Sequence, residues 1–91
     1  MGVTLKSWGE RKASWLAENG RPTFEQVLEA IAEGGLLDIR DNNTHADRKI
    51  FVVRIAGKIH AVPVIPLTNG EYQATTVFPS KKLEKEFGGK T

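Results

Sequence analysis

At 91 residues, 40% hydrophobic and 26% charged, with two Trp and four Phe, the chain has the composition of a single globular domain, residues 1–91, rather than of a disordered segment. It contains no apolar run of the roughly 18 residues a membrane-spanning helix needs, no long apolar stretch of a signal peptide near its start, and no cysteine for a disulfide or thiolate metal site. These exclusions predict a soluble cytoplasmic protein, and a net charge of +2 is too small to define a partner by itself.

Val3–Leu5 suits a short edge strand. Ser7-Trp8-Gly9-Glu10 then fits a capping box, in which Ser and Glu satisfy each other's free backbone amides. It predicts a helix from Trp8 to Glu18, with Trp8, Lys12, Trp15 and Leu16 along one stripe, stopped by Asn19-Gly20. Thr23-Phe24-Glu25-Gln26 is a second capping box; its helix carries Phe24, Val27, Leu28 and Ile31 at helical spacing and ends at Gly34-Gly35.

The period then changes. Leu36–Ile39 reads as a strand, Arg40 to Arg48 as a polar loop, and Lys49–Ala56 and Lys58–Leu67 as two long strands around a turn at Gly57. Pro63 and Pro66 lack amide donors, which predicts an edge position or a bulge for the end of the second. Thr68-Asn69-Gly70 is a hairpin signal leading into the strand Glu71–Phe78. Ser80 caps a last helix, Lys81 to Phe87, closed by Gly88-Gly89. This order predicts an α+β fold: two N-terminal helices packed on one face of a three- to four-stranded antiparallel sheet, with a short C-terminal helix.

Carboxylates outnumber cations before residue 40. Two basic islands follow, one with Arg40, Arg48, Lys49, Arg54 and Lys58, the other with Lys81, Lys82, Lys85 and Lys90. Such a layout suits an anionic partner on one side, although charge runs also serve simply to solvate a face. Phosphate-loop spacing is missing, His45 and His60 have no HExxH context, and no serine sits at a nucleophile elbow, so neither a metal nor a cofactor is expected.

What remains is a set of cations and imidazoles: His45, Arg48, Lys49, Arg54, His60, Lys81, Lys82 and Lys85. RNA cleavage without metal needs a base for the 2′-hydroxyl, cations for the phosphorane and an acid for the leaving 5′-oxygen, and these residue types supply all three. Arg54 and His60 both interrupt apolar strands. They share a face if the loop is Ala56-Gly57-Lys58, and point to opposite faces if the turn has two residues, because a one-residue change of register inverts a strand.

Across most of the chain, Trp15-Leu16, Gly20, Thr23–Val27, EAIAEGGLLDI (29–39), KIFVVRIAGKIHAVPVIP (49–66) and TTVFPSKKLEKEF (75–87) occur in the order found in BrnT-like toxins of bacterial toxin–antitoxin systems. The chain resembles that family, itself part of the broader RelE/ParE superfamily, in which two helices pack against an antiparallel sheet. The resemblance implies a ribosome-independent, metal-independent endoribonuclease, neutralised by a cognate antitoxin and acting as a homodimer or within a toxin–antitoxin hetero-oligomer. For such an activity the candidate residues above are expected to divide into Lys81 with Arg54 for phosphate stabilisation, His60 as acid/base, and Arg48, Lys49, Lys82 and Lys85 for contact with the RNA backbone.

Similar sequences read approximately Pro-Ser-Arg-Lys where this chain has Pro79-Ser80-Lys81-Lys82, and an acidic residue is common where it has Arg54. Lysine offers a point charge where arginine offers a fork. The alternative is therefore a non-catalytic protein- or nucleic-acid-binding module on the same fold, gyrase-directed as some superfamily members are, or degenerate.

Overall fold

The computed structural model describes residues 4–42 and 47–88. Val3, His45, Gly89 and Lys90, which entered the expectations above, lie outside the described residues. The elements run β1 (Thr4–Lys6), α1 (Glu10–Glu18), α2 (Phe24–Ala32), β2 (Leu36–Asp41), β3 (Lys49–Ile55), β4 (Lys58–Pro66), β5 (Glu71–Ala74), β6 (Phe78–Pro79) and α3 (Lys81–Leu83), the last continuing into a π-helical turn, Glu84–Gly88.

The expected sheet is corrected on three counts. Among the described residues it has six strands, ordered β1-β5-β4-β3-β2 with β6 also on β4. It is mixed, because β1 pairs in parallel with β5, Leu5 opposite Tyr72. And it is covered on both faces: Leu16 of α1 and Val27 and Ala30 of α2 pack with Phe51, Val53, Val62 and Val64, while Leu83 packs with Val52, Ile59 and Ala61. The near-continuous apolar runs of β3 and β4 are the reason. A strand with one wet face alternates, whereas these two offer apolar side chains to both sides and need a layer on each.

Local chemistry explains most element ends. The Thr23 hydroxyl accepts the Gln26 amide at 3.1 Å and the Gln26 side chain accepts the Thr23 amide at 2.8 Å, so the second capping box forms as expected. The first does not: Gly9 is the N-cap of α1, and Ser7 Oγ donates instead to the Trp8 carbonyl at 2.7 Å. Trp8 is pulled out of the helix into the core, edge-on to Phe24 at 5.4 Å between centroids. Gly35, between α2 and β2, lies against β3 where no side chain fits: a Cβ there would lie 2.8 Å from both the Ala30 and Arg54 carbonyl oxygens. The Arg54 amide donates to the Gly35 carbonyl at 2.8 Å, which ties the β3 backbone at Arg54 to the end of α2.

β4 is an interior strand rather than an edge. Its outer side is shared by β5, which pairs with Val64–Pro66, and β6, which pairs with His60 and Ala61. Pro63 falls in the gap between them, where a missing amide donor costs no ladder bond, and its carbonyl accepts the Thr75 amide at 3.0 Å. The expected strand Glu71–Phe78 is split at that gap into β5 and β6.

Candidate nucleic-acid interface

The β3–β4 turn decides which cations stand together. It is a two-residue turn, Ala56-Gly57, with φ of +54° and +81°, as a type I′ turn requires. Val53 therefore faces His60, and Arg54 faces Ile59. Arg54 lies with Val52 and Ala61 on the side of α3, whereas His60 lies with Phe51, Val53 and Val62 on the side of α1 and α2. The structure does not bring Arg54 and His60 together. His60 is 7% exposed, its Nδ1 is 3.0 Å from its own strand's Lys58 carbonyl, and burial pushes its pKa down.

The C-terminal layer is anchored at both ends. Ser80 caps α3, its hydroxyl accepting the Leu83 amide at 3.2 Å, and its own amide donates to the Ile59 carbonyl at 3.2 Å. Glu84 turns back to accept the Ile59 amide at 2.8 Å. Glu86 accepts from Arg40 of β2, whose guanidinium also pairs with Asp38 at 3.1 Å and sits 5.1 Å from the centre of the Phe87 ring. The hydrogen bond from Arg40 holds the Glu86 carboxyl below its usual range. Arg54 Nη2 reaches the Phe87 carbonyl at 3.5 Å.

The carboxylates of this layer are thus already engaged, while Arg54, Lys81, Lys82 and Lys85 are exposed and form no ion pair among the described residues. Lys81 lines a cleft of about 280 Å³ with Ile59, Pro79, Ser80 and Glu84. Lys82 lines a neighbouring one of about 300 Å³ with Arg40, Ala61, Phe78 and Leu83. A larger hollow of about 470 Å³, between α2 and the β3–β4 turn, presents Glu29 and Glu33 beside Arg54 and is less suited to a polyanion.

The other expected contacts are dispersed. Lys49 pairs with Asp41 at 2.6 Å, and its alternation with Phe51 places it on the α1–α2 side. Arg48 is partly buried ahead of β3, and its Nε has no hydrogen-bond partner among the described residues. Sequence reasoning missed Arg40, Phe78 and Glu84 as members of this surface. Arg40 opens the polar stretch Arg40–Arg48 in the sequence, but β2 runs on through Asp41 and pairs Arg40 with Ile50. Phe78 looked like one more strand residue, and nothing local marks Glu84.

No helix among the described residues is long and apolar enough to cross a membrane. No family model, curated protein or solved structure matches this chain.

Proposed function

We propose that the chain is a BrnT-like toxin, a cytoplasmic endoribonuclease that cleaves RNA by attack of a 2′-hydroxyl without a metal, and that a cognate antitoxin silences it by covering the C-terminal layer. The observation that carries this is the gathering of Arg40, Arg54, Lys81, Lys82 and Lys85 on one face of the sheet, opposite α1 and α2. Lys81 and Arg54 stabilise the phosphorane, and Lys82 and Lys85 hold the backbone. His60 is walled off on the far side, so proton transfer falls to Lys81 and Glu84, which line one cleft. The 2′-oxygen bonds to phosphorus as its proton passes to the carboxylate; the P–O5′ bond breaks as the ammonium protonates the leaving oxygen. Purified protein is expected to cleave RNA in excess EDTA, and Lys81→Ala to lose at least about tenfold in rate. Activity lost in EDTA, or kept in Lys81→Ala, overturns this mechanism.

One observation favours the second reading, a non-catalytic binding module: the buried placement of His60 leaves no imidazole on the cationic face among the described residues. Growth that continues on induction, with RNA bound but intact, would select it.

A further inference from the structure

The cleft beside Lys82 differs from the rest of the cationic face in holding an exposed aromatic ring. β6 pairs with β4 so that Phe78 stands opposite Ala61, and the small alanine leaves the flank of the ring uncovered. Phe78 is 37% exposed, while Ala61 and Leu83, the cleft's floor, are buried. Lys82 of α3, Ser80, Arg40 and Asp41 of β2, Asn42 and Ile50 of β3 complete the lining, and the Asp41 carboxylate is paired with Lys49. At about 300 Å³ the space is at the small end of ligand-sized pockets.

We infer that this cleft is a base-stacking subsite for single-stranded RNA: one unpaired base stacks on Phe78, and the adjoining phosphate pairs with Lys82. It rests on the RNA reading above and adds a substrate class to it. Arg40 is already held by Glu86 and Asp38, whereas Lys82 forms no ion pair among the described residues. An aromatic platform beside a backbone-tracking cation is the arrangement by which single strands are bound without base-edge readout. A base inside a duplex has both faces covered and cannot use it. A purely apolar occupant would bury Lys82 without a partner, and an acidic peptide would satisfy Lys82 while leaving Phe78 unused.

The experiment is fluorescence-anisotropy titration of the full chain with four probes: a labelled oligouridylate, the same length as an abasic strand, an RNA duplex, and polyglutamate of matched charge. The oligouridylate is expected to bind roughly tenfold more tightly than the abasic strand. Phe78→Ala and Phe78→Leu should erase that difference, and Phe78→Tyr should keep it, all with unchanged circular dichroism. Lys82→Ala should instead lower the slope of log affinity against log salt by about 0.7, a change the Phe78 variants should not cause. Equal binding of abasic and base-bearing strands overturns the subsite and leaves the RNA reading intact. Preference for duplex or polyglutamate overturns the subsite in favour of a charge-only surface. Absence of binding to any RNA overturns both.

Discussion

The two faces of the sheet are built from the same two strands and behave as different materials. Toward α1 and α2, β3 and β4 present Phe51, Val53, Val62 and Val64, each fully buried, to a broad apolar layer in which Phe51 meets Tyr72 edge-on at 5.1 Å between centroids. Toward α3 they present Val52, Ile59 and Ala61 to little more than Leu83 and Phe87, within a border of Arg40, Arg54, Glu84 and Glu86. A large dry face stabilises the fold and leaves little room for chemistry. A small apolar centre with a charged rim fixes side chains in place while keeping them in water, which is what binding a polyanion requires.

Core truncation tests that contrast most severely. Phe51→Ala is expected to cost about 3–5 kcal/mol and abolish cooperative unfolding near physiological temperature. Leu83→Ala, in the smaller cluster, should cost about 2 kcal/mol, the low end for such a truncation, because the C-terminal segment can settle onto the gap. Urea unfolding with limited proteolysis separates the two. If Leu83→Ala destabilises as much as Phe51→Ala, the C-terminal layer is as much a core as the other face and the contrast fails.

A smaller effect, opposite in sign, probes the turn that sorts side chains between the faces. Ala56 occupies a left-handed conformation that favours Asn or Gly. Ala56→Asn should stabilise by about 1 kcal/mol in urea titrations. A loss of stability would mean that the turn is not of this type, and the partition of Arg54 from His60 would fall with it.

The finest test is pH. Burial lowers the His60 pKa below its ordinary value, so the unfolded chain binds a proton more readily than the folded one. His60 therefore favours folding fully above about pH 6.5, and this contribution is lost as the pH falls below it. Between about pH 7.5 and pH 5 the urea midpoint of His60→Gln should fall less than that of the parent. Parallel falls would mean that His60 is not buried in the folded chain.

Elements whose causes are local were legible from the chain alone. Thr23 with Gln26 starts α2, Ser80 starts α3, and the apolar runs of β3 and β4 announce buried strands, because these signals act over a few residues. The Ser7 box misled for an equally physical reason: burying the Trp8 indole outweighs one cap, and the helix starts at Glu10, two residues later than expected. The candidate site was half legible. The basic segment at Lys81-Lys82 was visible, but Arg40 and Glu84 join it only through contacts spanning tens of residues.

The residues by themselves determined the helices, the strong strands and the presence of two cationic islands, since propensity, capping and charge are properties of short stretches. Tertiary structure alone decided three things. It paired β1 in parallel with β5, a pairing that neither segment's own pattern specifies. It drew β4 into the interior by setting Pro63 at the break between β5 and β6. And through the two-residue turn at Ala56-Gly57 it sent Arg54 to the C-terminal layer and His60 into the core. One residue more or less in that turn inverts a strand, and no local preference near Arg54 or His60 could have set it.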